Sequence, residues 1–149
     1  MALARLKSLA GVTIPDTALC NAAVDLLESS SPGFLCTHCL RTYIFGSLAV
    51  RGLGRSVVDE EAAFCGAVLH DLGLVPPYRR DNRFEVDGAD AARQFCSKHQ
   101  VAPERADLVW KAIALHTCAC RESNPNILVV QPAQDRAAKN GPGQFSPLS

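Results

Sequence analysis

A histidine followed directly by an aspartate, His70-Asp71, lies at the end of the apolar run AAFCGAVLHDLG. Neighbouring side chains on a helix point about 100° apart, so both reach one metal ion only where the helix ends or another helix closes over it. His38, in the helical segment LCTHCLRTYIFG, adds a third ligand. Imidazole and carboxylate ligands suit zinc, iron, manganese or cobalt, and three protein ligands leave room for a reactive water. These residues predict a divalent-metal site, with zinc as the first choice.

The composition is that of an ordinary globular protein. The 149 residues are 48% hydrophobic and 20% charged, which is typical of one folded domain. Fifteen basic residues balance fifteen acidic ones, so charge gives no reason to expect nucleic acid or an anionic membrane as a partner. No apolar run reaches the roughly 20 residues of a membrane span. We expect a cytoplasmic or nuclear protein that acts on a small molecule.

The seven cysteines allow two interpretations. An odd number, scattered mainly among apolar helical positions, indicates reduced thiols that pack as small hydrophobic side chains. The alternative is a zinc site formed by Cys36-x-x-Cys39 and Cys118-x-Cys120. The helical context of the first pair and the short spacing of the second fit a zinc ribbon poorly.

Helix signals dominate the first half of the chain. Asp16 or Thr17 is suited to cap a first helix, and a second helix is predicted from about residue 34 to 50. Asp59 opens a third helix, since it is followed by two glutamates that suit the positive end of the helix dipole. That helix carries the His-Asp pair and ends at Gly73.

A long loop, LVPPYRRDNRFEV, follows the third helix. Its two prolines exclude helix, and loops of about a dozen residues in compact domains are usually functional or mobile. Asp87 is then expected to cap a fourth helix that reaches about His99. Pro103 opens the last helix, which carries His116 near its end. No strand pattern of useful length occurs before residue 126, so the domain is predicted to be all-α.

The C-terminal segment differs in composition from the rest. Residues 121–149 contain four prolines, the turn-like NGPG and one apolar cluster, ILVV. Such a segment buries little apolar surface, and we expect most of it to be disordered. The predicted organisation is therefore a helical domain over residues 14–120 and an atypical tail.

Four segments, THCLRTYIFG, AVLHDLGL, RFEVDGADAARQF and LVWKAIALHT, together resemble the HD-domain superfamily of metal-dependent hydrolases, and most closely its cyanamide hydratase-like branch. The similarity covers roughly residues 14–120 in the same order. It implies a helical bundle with a long loop after the His-Asp pair, and a metal held by His38, His70, Asp71 and a later aspartate. Asp135 is the only candidate for that fourth ligand after Asp107. Its surroundings, PAQDRAAKNG, differ from the apolar ligand helix of the family.

Several further residues are candidates for contact with the substrate. Thr42, one helical turn after His38, and His116 are expected to face the pocket. A second-metal ligand and a hydrogen-bonded core histidine are the alternatives for His116. Phe84 and Glu85 lie where the loop would fold back over the pocket. We expect Trp110 to pack in the core. We expect His99, near a helix end, to have a structural role there.

The resemblance implies addition of water to a small nitrile-type substrate, cyanamide to urea, with Asp71 orienting or deprotonating the water. Many phosphohydrolases of the superfamily have a lysine where this chain has Leu74, which disfavours nucleotide chemistry. A phosphohydrolase that uses Arg79, Arg80 and Arg83 of the loop is the second interpretation. A third is a catalytically impaired product that lacks the last ligand. Its uncovered apolar face would lower its stability or favour a homo-oligomer.

Overall fold

The computed structural model describes residues 6–117 and 130–132, and their fold is helical. The prediction of an all-α domain is confirmed. No helix in this part of the chain combines the length and apolarity that a membrane crossing needs. Five α-helices carry the fold: α1 (Ala18–Ser30), α2 (Gly33–Gly52), α3 (Glu60–Leu69), α4 (Phe84–Lys98) and α5 (Pro103–Ala114).

Local signals in the sequence set three of the helix starts. The Thr17 hydroxyl accepts a hydrogen bond from the backbone N–H of Cys20 at 3.2 Å, which caps α1. The Asp59 carboxylate caps α3 in the same way, with the N–H of Ala62 at 2.9 Å. Pro103 is the first residue of α5, where its missing N–H costs nothing. These starts agree with the sequence predictions.

The start of α4 differs from the prediction. Asp87 does not cap this helix; α4 already begins at Phe84, so Phe84 and Glu85 belong to its first turn and the preceding loop is residues 75–83. The reason is a contact across the loop. The buried Asp87 carboxylate accepts a hydrogen bond from the backbone N–H of Arg80 at 2.7 Å, so it fixes the loop instead of the helix end.

Two pairs of short strands accompany the helices, although none was predicted before residue 126. β1 (Ser8–Leu9) and β2 (Val12–Thr13) form an antiparallel hairpin. β3 (Arg55–Val57) pairs antiparallel with β4 (Val130–Pro132), and Arg55 lies opposite Pro132. Strands of two or three residues are too short to show the alternation that reveals a strand in sequence. The rest of the predicted tail, Cys118 and Cys120 included, lies outside the described residues.

Helix α3 runs through the centre of the bundle and packs against the other four helices. Phe64 on this helix is buried and meets the Tyr43 ring edge-on, with 4.9 Å between ring centroids. Leu27 of α1 and Ile113 of α5 are also fully buried in the core. A helix enclosed in this way ends inside the protein, so the His70-Asp71 pair emerges in a position that other helices surround.

A pair of glycines lets α4 approach the end of α3 very closely. A short 3₁₀ turn, Leu72–Leu74, follows the His-Asp pair and packs against α4. A Cβ at Gly73 would lie 1.9 Å from the Phe84 carbonyl oxygen, and a Cβ at Gly88 would lie 3.0 Å from the Gly73 nitrogen. Only glycine fits at position 73, and this contact holds the first turn of α4 against the His-Asp turn.

Candidate metal centre

The end of α3 turns the side chains of His70 and Asp71 toward each other. The last residue of the helix is Leu69, and Asp71 has left the helical conformation (φ −104°, ψ 13°). The His70 Nε2 atom lies 3.1 Å from Asp71 Oδ2. The prediction that this helix continues to Gly73 is therefore wrong: α3 ends before the pair, and the turn that follows brings both side chains within reach of one ion.

His38 joins this pair from α2. Its Nε2 atom lies 3.3 Å from the same Asp71 Oδ2, and its ring centroid is 5.3 Å from that of His70. The three donor atoms all lie within 4.8 Å of one another. Two ligands that bind a tetrahedral ion at ~2.0–2.1 Å are ~3.3 Å apart, so small movements suffice for a divalent cation to fit. Two imidazoles and a carboxylate are also the donors that zinc and related ions prefer.

His70 and His116 are oriented by the same local construction. Each follows the C-terminal end of a helix, and its Nδ1 atom is hydrogen-bonded to the carbonyl three residues earlier. The distances are 2.7 Å to Ala67 for His70 and 2.6 Å to Ile113 for His116. A carbonyl partner places a proton on Nδ1 and directs Nε2 away from the helix, as is usual for histidines that bind metals. In the sequence, the only sign of this orientation is that each histidine follows an apolar helical segment.

The two oxygens of Asp71 face different histidines. Oδ2 faces His38 and His70, whereas Oδ1 lies 3.7 Å from Nε2 of His116. The His116 ring meets the His70 ring edge-on at 4.9 Å. His116 thus lies in the same cluster, on the side of the carboxylate that the other two histidines leave open.

Charge within the cluster is distributed as an ion pair. Burial by itself would lower the pKa of His70, but hydrogen bonding to Asp71, with a contribution from the adjacent Cys39 thiol, raises it to about 10. Burial would raise the pKa of Asp71, but its hydrogen bond with His70 outweighs burial and lowers it. A proton on His70 therefore neutralises the carboxylate when no cation is bound. Because a ligand imidazole must be neutral, metal binding displaces that proton. Cys39 lies more than thirty positions before His70 in the sequence, and no local pattern reveals that the two are neighbours.

Exposure to solvent differs strongly among the residues of the cluster. The side chains of His70 and Asp71 are 9% and 8% exposed, while that of His38 is 56% exposed. His38 lies on the outer surface of α2, so this helix forms the open side of the site.

The residues predicted to contact a substrate lie in two groups. Phe84 meets His116 edge-on at 5.7 Å, and the buried Glu85 accepts a hydrogen bond of 2.5 Å from the Thr117 hydroxyl. That hydrogen bond lowers the pKa of Glu85. Thr42 is separate from them: it is exposed, and its hydroxyl donates to the His38 carbonyl at 3.0 Å.

The arginines of the 75–83 loop bind the loop itself. The Arg79 guanidinium donates to the Leu74 carbonyl at 2.7 Å, and Arg80 donates to the Pro77 carbonyl at 3.3 Å. Arg83 immediately precedes α4. Two of the three cations suggested for phosphate recognition are thus hydrogen-bonded to backbone carbonyls.

Two other residues singled out in the sequence lie at the surface of α4 and α5. The Trp110 indole N–H donates to Asp90 at 2.7 Å, and the Arg93 guanidinium lies 4.8 Å from the indole centroid. His99 packs on Phe95 with 4.4 Å between ring centroids. Trp110 is half-buried and joins the two helices, so it packs at their boundary.

Within residues 6–117, one group of side chains has the geometry of a metal site, and it is His38, His70 and Asp71. Cys36 and Cys39 are buried free thiols, and the Cys36 thiol donates to the Leu27 carbonyl at 3.7 Å. The cysteine zinc site stays untested because its second pair, like Asp135, lies outside the described residues.

Comparisons with known families agree with this geometry. The family model named HD domain matches residues 35–139, which is more than two thirds of the chain. Comparison with curated proteins and with solved structures gives no significant match. The chain therefore belongs to the HD domain family, and its cluster of two histidines and one aspartate fits the divalent-metal site of such domains.

Proposed function

We propose that this protein is a metal-dependent enzyme that adds water to a small nitrile-type substrate such as cyanamide. The observation that carries the proposal is the convergence of His38, His70 and Asp71 around one point, with His116 on the free side of the carboxylate. In this proposal His38, His70 and Asp71 hold a divalent cation, with zinc as the first choice. When bound, the cation supplies a Lewis acid that makes a water nucleophilic near pH 7.

The roles of the surrounding residues follow from their distances. Asp71 would hold the cation together with His38 and His70, whose Nε2 atoms face its Oδ2 atom. Its Oδ1 atom, which faces His116, would then be free to orient the attacking water and to accept its proton. The Nε2 atom of His116 lies 3.7 Å from Oδ1. A small movement of either side chain would let His116 take that proton and pass it to the substrate nitrogen. The nitrile carbon gains the hydroxyl oxygen and the nitrogen gains one proton, which gives isourea. Transfer of the remaining hydroxyl proton to the imino nitrogen then gives urea. Phe84, Glu85 and Thr42 are proposed contacts of the substrate.

The charges near the cluster favour an uncharged substrate. The position three residues after Asp71 is Leu74, and the Arg79 and Arg80 side chains hydrogen-bond to backbone carbonyls of their own loop. A phosphate ester would need cations that are free to bind it. Glu85 adds a negative charge beside Thr117, which a phosphate would meet unfavourably.

A fourth ligand from Asp135 is the weakest part of the ligand set. Asp135 follows Pro132 by three residues, and three extended residues span about 10 Å. The partner of β4 is β3, which precedes the start of α3, whereas His70 follows its end, about 15 Å away along the helix. We expect Asp135→Asn to weaken metal binding less than Asp71→Asn, measured by zinc titration of each variant.

The test of the proposed reaction is urea formation from cyanamide by the full chain after loading with zinc. We expect the wild-type protein to form urea. The rate of urea formation should fall at least about a hundredfold in Asp71→Asn, since general-base catalysis contributes that much. Asp107→Asn, an exposed aspartate paired with Arg93 on the far face of α4 and α5, is the matched control and should keep the rate. Equal rates in wild type and Asp71→Asn would remove Asp71 from the mechanism.

Two measurements separate the alternatives. Phosphate release from a model phosphoester that falls on neutralising Arg79, Arg80 and Arg83 would favour the phosphohydrolase. Metal content after purification addresses the impaired product: one equivalent of tightly held metal contradicts it, and little or none supports it.

A further inference from the structure

The outer face of α2 carries two exposed phenylalanines that nothing in the described part of the chain covers, with the exposed Arg41 between them on the same side of the helix. Phe34, His38, Phe45 and Ala49 are spaced four, seven and four residues apart, which places them on one side of the helix. We call these four residues the α2 stripe. Phe34 is 77% exposed and Phe45 is 66% exposed. Large exposed aromatic side chains at helical spacing indicate a surface that packs against something.

The region around the stripe is also open at the backbone. A Cβ added at Gly46 or Gly52 would meet no atom within 4 Å. Leu53, directly after α2, is 71% exposed and extends the apolar surface beyond the helix end. A chain segment therefore has room to lie along this helix.

The strand pairing shows where the segment after β4 begins. β4 runs antiparallel to β3, so the chain leaves Pro132 opposite Arg55, three residues after the end of α2. Seventeen residues, 133–149, follow this point and include Phe145 and Leu148. The distance along the helix from Gly52 to Phe34 is about 27 Å, and 17 extended residues span roughly 55 Å. The segment is long enough to cover the stripe even if part of it is helical.

The area of the stripe fits a short segment better than a second copy of the chain. The exposed parts of the two phenylalanine rings offer on the order of 300 Å². A stable specific interface buries about 600 Å² or more on each partner. A segment tethered at the end of α2 has an effective concentration in the millimolar range, which a second molecule does not match in dilute solution. The HD domain match extends to residue 139 and so includes the first part of this segment.

We propose that residues 133–149 of this chain dock along the α2 stripe, with an apolar side chain of the segment on Phe45. The proposal rests on the exposed stripe and on the exit point of β4, and it does not depend on the proposed reaction.

Photo-crosslinking in the full chain tests the docking directly. Phe45→p-benzoylphenylalanine is irradiated, and the product is resolved by size and digested with trypsin. We expect a cross-linked monomer in which position 45 is joined to a residue of 133–149. The same photoreactive side chain at Gln94, an exposed position of α4, is the matched control and should give no such product. Cross-linked dimers, cross-links to other segments, or no cross-link at position 45 would overturn the proposal.

Limited proteolysis gives a second readout. Trypsin cleaves after Arg136 and Lys139, and docking protects both bonds. Phe45→Glu removes the apolar contact and should speed their cleavage about tenfold or more, as burial of a phenylalanine ring implies. Leu108→Glu places the same charge on an exposed apolar position of α5 and should leave the rate within about twofold. Equal cleavage in wild type and Phe45→Glu, with helical content unchanged by circular dichroism, would contradict the docking.

Discussion

Replacement of Gly73 by alanine should destabilise the protein more than any other single methyl addition to its buried glycines. The added Cβ would lie 1.9 Å from the carbonyl oxygen of Phe84 and 2.7 Å from its carbonyl carbon. Ordinary contact begins near 3.4 Å, so the backbone of α4 must move by about 1.5 Å or the turn must deform. Both partners are backbone atoms, so no side chain can rotate away. Overpacking typically lowers the free energy of unfolding by ~1–3 kcal/mol, and we expect Gly73→Ala to lower it by an amount at or above the upper end of that range.

Two other glycines provide matched controls for the same change. In Gly88→Ala the new methyl would lie 3.0 Å from the Gly73 nitrogen and 3.2 Å from the His70 carbonyl oxygen, so a smaller adjustment suffices. Gly66 lies within helix α3, and in Gly66→Ala the new methyl would lie 3.8 Å from the Ala112 side chain of α5, which is an ordinary contact. Because alanine favours helix, Gly66→Ala should be neutral or more stable by up to about 1 kcal/mol.

Urea denaturation of the three variants in parallel measures the free energy of unfolding. The expected order of stability is Gly66→Ala, then Gly88→Ala, then Gly73→Ala. Movement of α4 also displaces Phe84 and Glu85. Under the proposed function, a folded Gly73→Ala protein should therefore still bind metal through His38, His70 and Asp71 but lose urea formation. A Gly73→Ala protein as stable as wild type would refute the close approach of α4 to the His-Asp turn.

Three further outcomes are expected. Arg105 lowers the pKa of Asp59 from 3.8, so that carboxylate stabilises the fold above about pH 4 and the benefit is lost as pH falls through the lowered pKa. Asp59→Asn keeps a capping side chain and should cost about 0.5–1 kcal/mol at pH 7 and nothing near pH 2 in urea denaturation; a cost that does not vary with pH would contradict this. Thr117→Val removes the donor to Glu85 and should cost about 1 kcal/mol without changing metal content, whereas loss of metal would place this contact in the ligand set. A chelator should lower the melting temperature by roughly 10 °C if metal is present at a hundred times its dissociation constant, and it should have no effect on Asp71→Asn.

The sequence predicts those elements whose signals are local. Thr17, Asp59 and Pro103 act within one turn of their own helices, so each start is readable from a few residues. Asp87 looks like the same kind of signal, but its carboxylate binds Arg80 across the loop, a contact that sequence spacing does not reveal. The β3–β4 pairing joins residues more than seventy positions apart, and no local pattern specifies it.

The candidate site divides in a similar way. The prediction that His38, His70 and Asp71 meet depends on the resemblance to the HD-domain superfamily, because a His-Asp pair by itself is common by chance. The burial of an aspartate after an apolar run adds only that it needs a partner. The separate directions of the two Asp71 oxygens depend on the packing of α5 against α3, which brings His116 to one of them. The hydrogen bond from Thr117 to Glu85 depends on the same packing and was likewise not predicted.

The position of the single tryptophan determines what optical experiments can report. Trp110 joins α5 to Asp90 on α4 and lies beneath Arg93, so its intrinsic fluorescence reports the α4–α5 boundary. A carboxylate and a guanidinium beside the indole make its emission sensitive to small displacements of either helix. A metal or ligand titration followed by tryptophan fluorescence would therefore detect movement of α4, the helix that carries Phe84 and Glu85. Events on the outer face of α2 would need a label of their own.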